Sequence, residues 1–140
     1  MRRVIFGSLA ACVLAVATIS AAPKTSAPAT IELNTLSAAR STSSIWPALG
    51  DSVTFAVTFP KSAEKFGPRI QVACYQADVL VYAEAGPHYQ YFLLGGSSSD
   101  WLNISNGPAH CVADLYYWSY QGGQKFNWLA STEFEAGGQS

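Results

Sequence analysis

The clearest pattern along the chain is an alternation of apolar and polar side chains in residues 51–60, DSVTFAVTFP. Successive side chains of a β-strand point to opposite faces of its sheet, so apolar residues at every second position indicate a strand with one buried face. The intervening positions carry threonine and alanine, and Pro60 ends the pattern. The positions that share the predicted buried face are Val53, Phe55, Val57 and Phe59.

Shorter stretches of the same character recur along the chain, rich in β-branched and aromatic residues and separated by clusters of Gly, Pro, Asn, Asp and Ser. Each of them predicts a strand, and residues 61–68 predict a loop with room for one helical turn. This succession of short strands, without a convincing amphipathic helix, is typical of an all-β sandwich or barrel. The predicted strands are 30–38, 51–59, 69–76, 79–85, 88–94, 101–105, 109–120 and 125–136, with tight turns at 77–78, 106–108 and 121–124.

The first 22 residues have the layout of a secretory signal peptide. Arg2 and Arg3 precede an apolar run from Val4 to about Ile19, and small residues follow it. The run is short for a membrane span, which needs about 20 apolar residues. We therefore predict a signal peptide over 1–22, a flexible leader over 23–29, one β-sandwich domain over 30–136 and a loose tail over 137–140, in a protein that is secreted or held at the cell surface, without a membrane span.

An alternative interpretation of the same segment is a lipid anchor. Leu9-Ala10-Ala11-Cys12 resembles a bacterial lipoprotein box, in which Cys12 would be acylated. Two features favour ordinary secretion. Only the short stretch from Val4 to Ala11 would form the apolar region, and the chain stays apolar after Cys12 where lipoproteins usually turn polar.

Charge and motifs exclude several classes of function. The chain has 8 Lys+Arg and 9 Asp+Glu, and loss of Arg2 and Arg3 would make it more acidic, so nucleic acid is a poor candidate partner. No HExxH, GxSxG or phosphate-binding glycine loop is present. His110 and Asp114 would share a strand face about 13 Å apart, too far to hold one metal ion. Glu133 and Glu135 share an outward phase without a third acidic residue, which gives no cluster for calcium. Taken together, these observations predict no catalysis, no metal and no cofactor.

The two cysteines outside the signal peptide, Cys74 and Cys111, predict a disulfide, because an even number of cysteines in a secreted chain is usually paired. The two cysteines are 111 − 74 = 37 positions apart. Closing a loop of that size stabilises a fold by about 4 kcal/mol in the chain-entropy model. Two buried free thiols are the alternative.

Four segments, GDSVTFAV, IQVACYQ, GPAHCVADLYYW and WLASTEFEA, together resemble core strands of an immunoglobulin-like or fibronectin type III-like sandwich of secreted bacterial proteins. The resemblance covers roughly residues 30–136 and implies two antiparallel sheets with about seven strands. The antibody hallmarks are missing, since Ala109 stands where a tyrosine would precede Cys111 by two residues. If 51–59 is the second strand of such a sandwich, Cys74 and Cys111 lie on neighbouring strands of one sheet and their disulfide joins those strands.

The stretch AHCVADLYYWSY, residues 109–120, then has a defined phase. If Cys111 points into the core, Ala113, Leu115 and Tyr117 point into it as well. The side chains that then point outward are those of His110, Val112, Asp114, Tyr116, Trp118 and Tyr120. The last three of these, Tyr116, Trp118 and Tyr120, would form an aromatic row about 13 Å long. On the next strand, either Phe126 and Trp128 or the residues that alternate with them could extend this row. The candidate ligand-binding residues are Tyr116, Trp118, Tyr120 and Trp128.

Rows of exposed aromatic rings suit sugars, whose C–H faces stack on them, and they also form the centres of protein interfaces. The same rings could instead be covered by loops or by long side chains of the neighbouring strand. The sequence thus predicts a non-catalytic binding or surface-structural module whose partner is a protein or a polysaccharide at the cell surface. The alternatives are a carbohydrate-binding module that uses the aromatic row, and a small hydrolase or inhibitor with an unrecognised site.

Overall fold

A computed structural model of the protein describes residues 28–35, 47–96, 100–101 and 107–137. The predicted signal peptide, Cys12 and residues 138–140 of the predicted tail lie outside these ranges. Within them the chain forms seven strands and one short helix. In chain order these are β1 Thr30–Thr35, β2 Ser52–Thr58, α1 Lys61–Glu64, β3 Arg69–Gln76, β4 Val79–Pro87, β5 Phe92–Leu93, β6 Ala109–Ser119 and β7 Lys125–Ala136.

The strands form two antiparallel sheets, one with the order β1-β2-β5 and one with the order β4-β3-β6-β7. This confirms the predicted all-β, two-sheet architecture with one disulfide. The predicted strand positions 69–76 and 125–136 match β3 and β7 to the residue, and α1 occupies the position of the expected helical turn. Ala77 and Asp78 form the predicted tight turn between β3 and β4, and both have positive φ angles.

Apolar side chains from both sheets meet in one core. Val53 and Phe55 of β2 are buried, as their alternation predicted. The Phe55 ring lies 5.9 Å from that of Phe92 on β5 and 6.1 Å from that of Phe134 on β7, so it joins the two sheets. Trp101 is fully buried as well, and its indole Nε1 donates a hydrogen bond to the carbonyl of Gly107 at 2.9 Å.

The disulfide joins the two central strands of the four-stranded sheet. Cys74 of β3 stands directly opposite Cys111 of β6, and their Cα atoms are 4.0 Å apart, 37 residues apart in sequence. Cα atoms approach this closely at non-hydrogen-bonded pairs of an antiparallel ladder, where side chains lie nearest to each other. The predicted pairing of neighbouring strands in one sheet is confirmed.

The strand predicted over 88–94 is wrong in extent, because β5 covers Phe92–Leu93 alone. A turn directly after β4 takes up the preceding residues. The backbone N–H of His88 donates to the carbonyl of Pro68 at 3.3 Å, and that of Gln90 donates to Pro87 at 3.0 Å. Of the strand predicted over 101–105, the described residues include Trp101 alone, which lies outside the strands.

A polar network holds that turn against the inner side of β4. The Tyr82 hydroxyl donates to Glu84 Oε2 at 2.6 Å, and Gln90 Nε2 donates to Glu84 Oε1 at 2.8 Å. A Cβ atom on Gly86 would overlap the Gln90 side-chain amide, so the absence of a side chain there makes room for the network. Burial raises the pKa of the Tyr82 phenol well above its usual range, and the hydrogen bond to Glu84 and that residue's charge raise it further.

Loss of the disulfide should lower the free energy of unfolding by about 4 kcal/mol, because the reduced unfolded chain gains the entropy of an open loop. Urea unfolding of the oxidised chain, the reduced chain and the double variant Cys74→Ala/Cys111→Ala measures this loss. The reduced chain and the variant should agree to within about 1 kcal/mol. Equal stability of the oxidised and reduced chains would contradict the prediction.

Tyr82 should make the fold less stable at alkaline pH. The folded chain keeps the phenol protonated where the unfolded chain has already lost that proton, so the contribution is fully present below about pH 10 and declines as the pH rises further. The extra slope, at most about 1.4 kcal/mol per pH unit, should vanish in Tyr82→Phe. Urea unfolding between pH 9 and 11.5 tests this, with Tyr91→Phe at an exposed tyrosine as the matched control, which should keep the wild-type slope.

Candidate binding face

The outer face of the four-stranded sheet, which points away from the core, carries the candidate residues. Residues paired across neighbouring strands share a side of the sheet, so the ladder register arranges this face in rows that cross β3, β6 and β7 about 7 Å apart. Acidic residues occupy one end and aromatic residues the other. The rows are Tyr75–His110–Glu135, Ala73–Val112–Glu133, Gln71–Asp114–Ser131, Arg69–Tyr116–Trp128 and Trp118–Phe126.

A β-bulge in β7 places two of these aromatic side chains. Leu115 pairs with Ala130 but Tyr116 pairs with Trp128, so Leu129 is the extra residue. On one side of the bulge the even-numbered residue Ala130 points into the core, and on the other side Trp128 points outward. An uninterrupted strand would have directed Trp128 inward.

Four rings therefore gather on the outer face and form what we call the aromatic cluster: Tyr116, Trp118, Phe126 and Trp128. Phe126 lies at its centre, stacked on Tyr116 at 5.1 Å between ring centroids and edge-on to Trp118 at 5.2 Å. Such pairs favour one arrangement by about 0.5–1.5 kcal/mol each. The rings of Tyr116, Phe126 and Trp118 are thus held in place by one another as well as by the backbone.

The members of the cluster differ in how much of each is accessible. Trp128 is 58% exposed and Phe126 47%, while Trp118 is half-buried. Tyr116 is 7% exposed, so the prediction of an open row along one strand is wrong at this position: its ring lies on the outer face but is covered by neighbouring side chains. Tyr120 is 69% exposed but follows the end of β6. A ligand-binding role for these four residues stays a prediction.

The orientation of the Trp128 indole is set by Asp114, its neighbour in the adjacent row. Trp128 Nε1 donates to Asp114 Oδ1 at 3.2 Å. An ionised carboxylate offers about four acceptor sites, and this hydrogen bond uses one of them. Asp114 can therefore hold the indole and still accept hydrogen bonds from a ligand.

At the opposite end of the outer face, His110 lies beside Glu133 and Glu135, a grouping that was not predicted from the sequence. His110 Nδ1 lies 2.8 Å from Glu135 Oε1, and His110 Nε2 lies 3.5 Å from Glu133 Oε2. Glu133 and Glu135 were predicted to have no further charged or polar partner beside them. In the structure each of them contacts the His110 imidazole. A turn at 121–124 pairs residue 120 with residue 125, and counting outward from that pair places His110 opposite Glu135, as it is in the structure.

This acidic end is open to solvent and is weak as a site. Exposed contacts between an imidazole and a carboxylate contribute little to the stability of a fold. The depressions on either side of His110 measure about 510 Å³ and 230 Å³, and both open broadly to solvent. Among the described residues, no group of three or more His, Cys, Asp or Glu is arranged to hold a metal ion.

The other histidine has a structural position. His88 Nδ1 lies 3.1 Å from the carbonyl oxygen of Pro68, and the imidazole ring packs edge-on against Phe59 at 5.2 Å. The hydrogen bond with a carbonyl assigns the proton to Nδ1. His88 thus closes the end of β2 against the turn after β4, away from the outer face.

No family model, curated protein or solved structure matches this chain. The resemblance to immunoglobulin-like and fibronectin type III-like domains therefore stays a prediction, whereas the two antiparallel sheets are a feature of the structure itself. In the described part of the chain, no helix is both long enough and apolar enough to cross a membrane.

Deletion of Leu129 should disrupt both the aromatic cluster and the fold. Without the extra residue, either Phe126 and Trp128 point into the core or the remainder of β7 turns its core residues outward. We expect a loss of more than about 2 kcal/mol in the free energy of unfolding, together with a changed near-ultraviolet circular dichroism spectrum. Deletion of Gly123, in the turn before β7, is the control and should cost less; a Leu129 deletion with wild-type stability and spectrum would overturn this account of the bulge.

Asp114→Ala should release the Trp128 indole. The Nε1 proton loses its acceptor, so its NMR resonance should move toward that of a solvated indole and exchange faster with water. Asp114→Asn keeps an acceptor oxygen at the same place and should retain most of the wild-type resonance position. If Asp114→Ala leaves the Trp128 resonance in place, Asp114 does not orient the ring.

Proposed function

We propose that the protein is an exported, non-catalytic binding module, and that the aromatic half of its outer face is the binding surface. The observation that carries the proposal is the state of Trp128, which is more than half exposed and yet held in one orientation by Asp114. A ring ordered before binding loses little conformational freedom when a ligand covers it. A large, fixed aromatic surface of this kind is typical of binding sites.

The position of the aromatic cluster also supports a binding role. Monomeric proteins rarely leave large contiguous apolar patches on a solvent-facing sheet surface, and such patches often mark interaction sites. Phe126 and Trp128 lie side by side in adjacent rows and both are about half exposed. A purely structural role would be served equally well by threonine or serine at these two positions.

The bulge favours a ligand that lies on the face over a strand that adds to the edge. β7 is an edge strand of its sheet, and edge strands can recruit another strand through their unpaired backbone groups. The extra residue Leu129 interrupts the regular spacing of those groups in the middle of β7. The same residue that turns Trp128 outward therefore hinders strand addition beside it.

Export is supported by two independent features. The amino-terminal segment has the charge and hydropathy layout of a signal peptide. The Cys74–Cys111 disulfide is of the kind that persists in oxidising surroundings outside the cytosol.

Retention of the chain on immobilised chitin, cellulose, peptidoglycan, mucin and collagen tests the proposal. We expect at least one of these polymers to bind the wild type, and Trp128→Ala and Phe126→Ala to weaken that binding at least tenfold. Tyr91→Ala removes an exposed aromatic ring far from the outer face in sequence and should bind as the wild type does. Retention by none of the polymers, or equal retention of wild type and Trp128→Ala, would contradict the proposal; urea unfolding of each variant confirms that it is folded.

A further inference from the structure

A row of three polar side chains borders the aromatic cluster on the outer face. Gln71 of β3, Asp114 of β6 and Ser131 of β7 lie side by side, one row away from Trp128, and we call them the polar row. Gln71 and Ser131 are exposed and Asp114 is half-buried. Together they present an amide, a carboxylate and a hydroxyl, which can both donate and accept hydrogen bonds.

From this pairing of surfaces we infer that the ligand is a neutral polysaccharide, with one pyranose ring stacked on Trp128 and its hydroxyl groups bonded to the polar row. The inference rests on the proposed function and specifies the ligand class of that same surface. A pyranose ring with equatorial hydroxyls has two flat C–H faces and a polar rim. The flat faces match the indole, and the rim meets the groups one row away, about 7 Å along the strands.

An apolar ligand fits this surface less well. Covering Trp128 with a lipid or an apolar peptide would also bring it close to Asp114, which is hydrogen-bonded to that ring. A carboxylate that loses water without gaining hydrogen bonds destabilises the complex. Sugar hydroxyls replace that water, so the polar row favours a polyol.

The charges of the face favour a neutral ligand over an anionic one. The polar row carries the negative charge of Asp114. The nearest cation in the rows is Arg69, and its guanidinium Nη2 lies 3.5 Å from the carbonyl oxygen of Ala85 on β4, on the side of β3 away from Trp128. A phosphate or uronate on Trp128 would therefore meet a carboxylate rather than a guanidinium.

The aromatic cluster offers more than one platform, which favours a polymer over a single sugar. Trp128 and Phe126 are both exposed and stand two residues apart on β7, about 7 Å along the strand. Linked rings that lie flat can cover both. β-1,4-linked glucose or N-acetylglucosamine chains have this flat shape because their substituents are equatorial, whereas the axial 4-position of galactose bends the chain away from the surface.

Titration of the ¹⁵N-labelled chain with cellohexaose and with chitohexaose tests the inference, with the Trp128 indole resonance as the reporter. We expect at least one of these sugars to shift that resonance, and glucose or N-acetylglucosamine alone to bind at least tenfold more weakly. β-1,4-Galactohexaose should also bind at least tenfold more weakly. Trp128→Ala should reduce the affinity at least tenfold and Tyr91→Ala should leave it unchanged.

Variants of the polar row separate a sugar site from a merely apolar one. Gln71→Ala and Ser131→Ala should weaken binding of the hexaose two- to fivefold, while binding of the neutral apolar dye Nile red should not fall. Equal loss for sugar and dye, or no loss for the sugar, would overturn the role of the polar row.

The outcomes for the ligand class and for the proposed function are distinct. If neither hexaose shifts the Trp128 resonance but collagen is retained and Trp128→Ala releases it, the polysaccharide inference fails and the binding surface stands. If a hexaose binds and Trp128→Ala binds it equally well, both the inference and the proposed surface fail.

Discussion

The pairing of Cys74 with Cys111 is the constraint on which the rest of the four-stranded sheet depends. These residues face each other across the two central strands, fully buried, so both strands have their phase set at one point. A slip of one residue would exchange the core and solvent faces of a strand, and the covalent link excludes such a slip for β3 against β6. This phase directs the side chains of Ile70, Val72 and Leu115 into the core. It directs those of Gln71, Asp114 and Tyr116 onto the outer face.

The edge strand β7 departs from this regularity at one residue, and the departure creates the candidate site. Leu129 shifts the phase of β7, so the carboxyl-terminal half of the strand supplies the core with Phe134 while the amino-terminal half supplies the outer face with Phe126 and Trp128. The cost of exposing the Phe126 ring is reduced by its contacts with Tyr116 and Trp118. The core residues and the residues of the proposed binding surface thus lie on different halves of the same strand.

The outer face changes character along its length, and this gradient is what a ligand would encounter. His110, Glu133 and Glu135 pair with one another at one end and are satisfied without a ligand. Asp114 in the middle holds the Trp128 indole and retains acceptor capacity. The aromatic end combines exposure with order, which is the combination that lets a surface gain from burial without a large loss of conformational freedom.

The sequence by itself determined most of the described strands and the inward phase of Cys111 and Leu115, because period-two alternation is a local property of the backbone. That the disulfide lies within one sheet was implied by the resemblance to an immunoglobulin-like sandwich, and the structure confirms it. It overextended the strand before Leu94, since the turn after β4 depends on hydrogen bonds to Pro68 and Pro87. Only the tertiary structure decided that Trp128 faces outward and that Tyr116 is covered. Each of these depends on the register of β7 against β6, and one extra residue changes that register without altering the local alternation that a sequence displays.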